Sequence, residues 1–465
     1  MPAAPPTWFT SCLLVVLTGL VACAEWGAGW ASAPVPWLVL AVLALLSLHV
    51  RRSRRAFVAV GAALTLAQAL TDPDWQAVAL RGLYSAGFIG AFFTALSTLR
   101  NVAETSPAIG RAGRFLASQP PGRRYGALTL GGLLFALLLN YGAITLLGSL
   151  ATASAAAEPD PVIRSHRRRR MLLAIQRGFI SSLPWSPLAF TMAITTALIP
   201  GARWADAVMP GLVTAAIVAG TGWALDTIFK PRVTLPPGAR ARGAGSWMAI
   251  SPLLLLLALF AVTVGGLHLV TGIRIVGVVM VVVPVIAALW AALQHAGGGL
   301  DFGPATRLRG YLEQDLPGYR GEITLLMMAG YIGTIGAPLL LPLVLRSGLD
   351  PALLPGWAVL VMLVWIIPVL GQLGMNPILT VTLLAPLIPE AASMGVTPAA
   401  VVTAIAAGWA MGGITSPFTA TTLMIGSFGQ VSATHVGLRW NGGYALTVGA
   451  LLSGWVLVFA FVVGA

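Results

Sequence analysis

Long apolar runs alternate with short arginine-bearing gaps along this chain, and runs of about 20 apolar residues are what a membrane-spanning helix requires. Stretches near 8–24, 34–50, 56–71 and 77–98 read as four uninterrupted spans. The next two are different: 126–151 is interrupted at Asn140-Tyr141-Gly142, and 171–200 is broken around Ser181–Pro187. A continuous run at 207–229 follows, then spans near 248–268, 273–295 and 321–345. Segment 355–390 is interrupted at Asn376, 397–428 is broken again, and 441–464 closes the series.

The interruptions echo one another about 230 residues apart. Gly178-Phe179-Ile180-Ser181-Ser182-Leu183-Pro184-Trp185-Ser186-Pro187 matches Gly408-Trp409-Ala410-Met411-Gly412-Gly413-Ile414-Thr415-Ser416-Pro417, with Gly on Gly, aromatic on aromatic and Ser-Pro on Ser-Pro. Each follows an apolar segment carrying one Asn, Asn140 or Asn376. Paired, interrupted spans in two halves point to a secondary transporter's binding site. A second alignment lays Ser186-Pro187-Leu188 on Asn376-Pro377-Ile378 at a spacing near 190, but it pairs a broken span with a hairpin and spoils the topology.

Loop charge sets the topology. Arg51, Arg52, Arg54 and Arg55 place the first loop, and with it the N-terminus, in the cytoplasm. The polar stretch 99–125, with Arg100, Arg111, Arg114, Arg123 and Arg124, is cytoplasmic by the same count. If 126–151 crossed, the cluster Arg164-Ser165-His166-Arg167-Arg168-Arg169-Arg170 would lie outside, against the charge rule. A re-entrant hairpin turning at Asn140-Tyr141-Gly142 keeps it inside, and such backbone is tolerated where protein or a wet cavity surrounds it. Lys230, Arg232, Arg240, Arg242, Arg307, Arg309, Arg320 and Arg439 then fall inside, while Arg203, Arg274 and Arg346 lie at the outer face. The second hairpin enters from the opposite side.

The expected fold is an all-α polytopic membrane protein with about eleven transmembrane helices plus two re-entrant hairpins in an inverted repeat. Its expected segments are N-terminal scaffold spans and a cytoplasmic loop (1–125), a first hairpin and broken-helix transport unit (126–230) and a cytoplasmic linker (231–247). Second-half scaffold spans (248–354) and a second hairpin and broken-helix transport unit (355–465) complete it.

Composition agrees: 57% of the 465 residues are hydrophobic, 9% are charged, and the mean hydropathy is +0.88. The net charge of +13 sits in short loops, which orients a membrane protein rather than making a nucleic-acid surface. Cys12 and Cys23 lack metal-ligand spacing, and no Lys or Arg precedes the first run, so an uncleaved first helix is expected. Arginine-rich short loops suit a bacterial inner (cytoplasmic) membrane.

With Asn140 and Asn376 at the hairpin tips and Ser186-Pro187 and Ser416-Pro417 in the breaks, the chain resembles the divalent anion/sodium symporter branch of the ion transporter superfamily. That family carries Ser-Asn-Thr at each tip and a Thr-Pro loop in each following broken helix. Here Leu139 and Met375 precede the Asn, Tyr141 and Pro377 follow it, and the Asn after the loop prolines is missing. The resemblance implies a homodimer, elevator-like movement of hairpins and broken helices, and organic acids such as dicarboxylates as substrates; coupling to sodium or protons is expected, sodium being favoured because backbone carbonyls and hydroxyls suit it better than a proton relay.

Broken helices offer positive N-terminal dipole ends to an anion and freed carbonyls to a cation. The candidate substrate-binding residues are Asn140, Tyr141, Gly142, Thr145, Ser182, Ser186, Pro187, Asn376, Pro377, Thr380, Thr415, Ser416, Pro417 and Thr419, with sodium sites near Asn140 and Ser186 and near Asn376 and Ser416. Packing is the competing job for each single Ser or Thr. Arg177, just before the first break, either attracts an anionic solute or snorkels to the surface; Ala407 holds its repeat position. Asp226 stands one turn from Lys230 and reads as interfacial.

No Asp accompanies the tip Asn residues, which weighs against sodium/proton antiport. The five His residues are scattered and no HExxH, CxxC, P-loop or GxSxG appears, which disfavours an embedded enzyme and a metal centre. A passive channel of the same fold is the remaining alternative, separated from a carrier by saturable, coupled flux.

Overall fold

The computed structural model describes residues 7–230, 246–296, 304–348 and 351–464. Most of the expected linker, with Arg232, Arg240 and Arg242, lies outside them. Among the described residues all regular structure is helical. In order come α1 (Thr7–Glu25), α2 (Val35–His49), α3 (Arg52–Thr71), α4 (Trp75–Glu104), α5 (Pro107–Ala117), α6 (Pro121–Leu139) and α7 (Gly142–Ala156). Next are α8 (Pro161–Ser181), α9 (Phe190–Leu198), α10 (Trp204–Ile228), α11 (Ser251–Thr271), α12 (Ile275–Ala296), α13 (Pro304–Gly310) and α14 (Leu316–Gly318). The last six are α15 (Arg320–Arg346), α16 (Gly356–Gln372), α17 (Pro377–Leu384), α18 (Pro398–Thr415), α19 (Ala420–Gly429) and α20 (Gly442–Val458).

Nine helical stretches among the described residues are long and apolar enough to cross a bilayer. The chain is a multi-pass, all-α membrane protein. Helix α8 falls short of that hydropathy measure because arginines fill its first turns. This corrects the sequence reading, which left Arg164–Arg170 in a loop: Asp160 caps α8 by accepting the Val162 and Ile163 N–H groups, with Pro161 in the first turn. The stretch 99–125 is likewise mostly helical, comprising the end of α4, α5 and the start of α6.

The chain divides into two compact units: residues 1–102, 260–353 and 378–389, and residues 103–259, 354–377 and 390–465. In the first, α3 packs on α15. Gly61 leaves room there for Met328 and Tyr331, and the Tyr331 hydroxyl meets Thr65 Oγ1 at 2.6 Å. Glu25 and Arg274 pair at 2.5 Å, tying the end of α1 to the start of α12. Helix α17 belongs to this unit, where Thr382 fills the space left by Gly333 of α15.

The second unit holds both broken crossings, α8–α9 and α18–α19. Their arrangement follows from which half touches which. Helix α8 packs on α18, α9 lies on α18, and α19 lies on α8. Gly413, near the end of α18, faces Ile180 and Leu183 at the end of α8. Gly201, after α9, meets Pro398 at the start of α18. Gln430, after α19, accepts a hydrogen bond from Arg168 in the first turns of α8 at 2.9 Å. Ends meet at the breaks and each far end meets the other's start, so the two crossings run in opposite directions.

The interruption at Asn140 turns the chain back. Helices α6 and α7 pack on each other and on α8, with Tyr141 at the turn stacked on Phe179 (centroids 5.4 Å apart, 21° between planes). Asn140 makes the turn with φ 49° and ψ −128°, a left-handed backbone costly for a non-glycine residue. Arg167 donates to Ser154 Oγ at 3.0 Å, joining the far end of α7 to the start of α8. In the second half the chain breaks at Leu373–Asn376: α16 runs alongside α18, while α17 after the break falls in the other unit.

Candidate functional site

The Ser-Pro pairs do the same local work in both crossings. Ser186 Oγ accepts the Leu188 N–H at 3.1 Å, and Ser416 Oγ accepts the Phe418 N–H at 3.3 Å. Each proline lacks an N–H and enforces the break. Ser416 also donates to the Gly371 carbonyl at 2.6 Å, securing the end of α16 to the second break. The Ser186 hydroxyl proton has no protein acceptor among the described residues, although the side chain is buried.

Several candidates serve structure instead. Ser182 donates to the Phe179 carbonyl and Thr415 to the Met411 carbonyl, each inside its own helix. Thr419 donates to the Ser416 carbonyl beside Thr421 and Thr422, a cluster closing the start of α19. Thr145 is exposed, 3.5 Å from the Tyr141 carbonyl. Gly142 is buried at the start of α7. Pro187, Asn376, Pro377 and Pro417 are half-buried at their breaks. Thr380 lies in the first unit, buried, with Oγ1 lacking a partner among the described residues. Asn140 is half-buried at the hairpin turn, and its side-chain amide bonds to no protein group among the described residues.

Arg177 is where the chemistry gathers. Only 5% exposed, it does not snorkel. Its Nε and Nη2 donate to Asn441 Oδ1 at 3.3 and 3.1 Å, and Nη1 donates to the Tyr125 hydroxyl at 3.0 Å. The guanidinium carbon sits 3.9 Å from the centroid of the Tyr444 ring. Gly222 of α10 makes this possible, since a Cβ there would lie 3.0 Å from both Arg177 Cδ and the Tyr125 hydroxyl. No carboxylate pairs with Arg177 among the described residues.

The partners are themselves held. Asn441 Nδ2 donates to Gln176 Oε1 at 3.0 Å and to the Val436 carbonyl at 3.2 Å, so its oxygen must face Arg177. Tyr444 donates to the Val218 carbonyl at 2.7 Å. Gln176 Nε2 reaches toward the Gly413 carbonyl of the opposing crossing at 3.5 Å, a long contact. Gln176, next to Arg177, thus reaches the second crossing just before its break.

A charged arginine at the centre of a membrane helix costs about 2.5–3.5 kcal/mol. Hydrogen bonds to a charged group contribute about 1.5–3 kcal/mol each, and a desolvated cation–π contact about 2 kcal/mol. The cluster can hold the charged guanidinium in place with no acid. It also leaves two of the five guanidinium N–H groups and the Tyr125 hydroxyl proton without a protein acceptor among the described residues. Such a set of donors suits an anion.

Asp226, near the end of α10, has Arg170 as its partner. It takes both forks of Arg170, at 2.7 and 2.6 Å, because α10 returns beside α8. Tyr125, Gln176, Gly222, Asn441 and Tyr444 escaped the sequence reading; the available signal was Gln176-Arg177, two adjacent long polar residues in an otherwise apolar half-turn.

No protein-family model matches this chain, and no curated protein matches it. Solved structures do. The YdaH transporter of Alcanivorax borkumensis, described as having an unusual topology, superposes with a TM-score of 0.55 at 16% identity, over 88% of this chain and 98% of that one. MtrF of Neisseria gonorrhoeae, described as illuminating a class of antimetabolite efflux pumps, gives 0.53 at 13% identity over 91% and 98%. The likeness is one of fold.

Proposed function

We propose that this protein is a secondary transporter of a small anionic solute, moved by alternating access between two opposed, broken crossings. The observation that carries the reading is the buried Arg177 just before the first break, paired with no carboxylate and with donors of its own and of Tyr125 unused among the described residues. Its fold is shared with a transporter and an efflux pump, which supports the same class. An organic acid is the proposed solute, its carboxylate meeting Arg177 and its body lying toward the Asn140 turn and Ser186. An elevator-type displacement and coupling to sodium or protons complete the proposal.

The test is uptake of labelled succinate, benzoate and glutamate into proteoliposomes, with sodium or choline outside. Saturable uptake of one of them that vanishes in Arg177→Gln, while membrane insertion persists, supports the reading. Flux that stays linear in concentration favours a channel, and full activity in Arg177→Gln removes the site.

A further inference from the structure

We propose that the arginine-rich end of the second unit is a binding surface for anionic phospholipid headgroups. Side-chain bonds already described bring the start of α8 together with the ends of α7, α10 and α19, and Arg124 at the start of α6 lies within electrostatic reach of Arg167 and Arg170. The acids at these helix ends are committed elsewhere. Asp226 pairs with Arg170, Glu158 with Arg167, and Asp160 caps α8.

Arg111, Arg114, Arg123 and Arg439 are exposed, and none pairs with a carboxylate among the described residues. Two of them stand on the outer face of α5, an amphipathic helix whose apolar face, Ile109, Ala112, Phe115 and Leu116, is buried against α6 and α7. Arg439 lies between exposed Leu438 and half-buried Trp440, whose ring is 5.8 Å from the Arg169 guanidinium carbon. An apolar side chain, an indole and cations side by side match the layered chemistry of a bilayer surface: acyl chain, glycerol level, phosphate. Phosphate oxygens of an anionic lipid supply the carboxylate-like partners these arginines lack.

The test uses the full-length protein in mild detergent with equal amounts of phosphatidylglycerol and phosphatidylcholine, counting bound lipids by native mass spectrometry. The wild type is expected to prefer phosphatidylglycerol by about fivefold or more, the scale of one arginine at a charged surface. The exposed-site variant R111Q/R114Q/R123Q/R439Q is expected to lose that preference with an unchanged melting temperature. Should that variant aggregate, the same wild-type preference measured from low to high sodium chloride decides, since headgroup pairing at an exposed surface collapses with salt. Equal retention of the two lipids, a preference that survives in the variant, or one indifferent to salt overturns the proposal. So does displacement of the lipid by millimolar inorganic phosphate, which assigns the surface to free phosphate instead.

Discussion

Gly178 and Gly408, 230 residues apart, occupy the same place in two oppositely directed crossings. The backbone of each is pressed against a carbonyl oxygen of the neighbouring helix, Thr129 of α6 for Gly178 and Leu363 of α16 for Gly408. The sequence echo that pairs them is therefore a packing requirement as well as a repeat signature, because only hydrogen fits where backbone meets backbone.

Gly178→Ala or Gly408→Ala is expected to cost about 1–3 kcal/mol, since a backbone carbonyl cannot swing aside as a side chain does. Thermal unfolding of the detergent-solubilised protein reads this as a lowered Tm. Gly220→Ala, in α10 with open space around it, is the control and should leave Tm unchanged or slightly raised. Equal Tm values for all three would show that the helices separate at no cost.

Asn441→Ala should weaken anion transport without abolishing folding. It strips the acceptor from two Arg177 N–H groups and the donor from Gln176, a loss of about 1–3 kcal/mol for each unsatisfied buried group. The apparent KM for the transported acid is expected to rise about tenfold or more, on the scale of 1.4 kcal/mol per decade. Arg177→Lys should fail in a similar way, because an ammonium cannot bridge Asn441 and Tyr125 as a planar guanidinium does. Unaltered KM in both would dissociate this cluster from the solute.

Asn140 separates backbone from side-chain roles. Asn140→Gly relieves the left-handed conformation and should keep or raise Tm, whereas Asn140→Ala should lower it by about 1 kcal/mol equivalent. Transport is expected to vanish in both variants, and in Asn376→Ala, with insertion intact, if the amide itself meets the solute. Normal transport by Asn140→Gly would limit this residue to shaping the turn.

Breaking the Arg170–Asp226 pair with Asp226→Asn should destabilise by about 1–2 kcal/mol, discounted because Arg170 is partly exposed. Pairing it with Arg170→Gln should recover much of that loss. A double-mutant cycle on Tm measures the coupling, and strictly additive losses would show that the two groups act independently.

The breaks were legible in the sequence because proline, glycine and serine inside an apolar run leave few conformations open, and their repetition identified paired crossings. Asn140 lies at the turn between the packed helices α6 and α7, and Asn376 at the break between α16 and α17. The start of α8 was not legible: its arginines looked like loop residues, although Asp160-Pro161 carries the cap signature. The Arg177 cluster was legible only at its centre. Tyr125 and Tyr444 stand at opposite ends of the unit's sequence, Asn441 resembles an ordinary residue before a span, and Gly222 is one glycine among many. Long-range side-chain convergence leaves no periodic trace.

The hold that α19 has on α8, and α9 on α18, has a mechanical meaning. Two rods cut at the middle and laid head to head would buckle, but here each fracture is splinted by the far piece of its counterpart. Force applied to one is shared by both, so the pair resists bending as a single beam, with Gln176 reaching from one rod to the other.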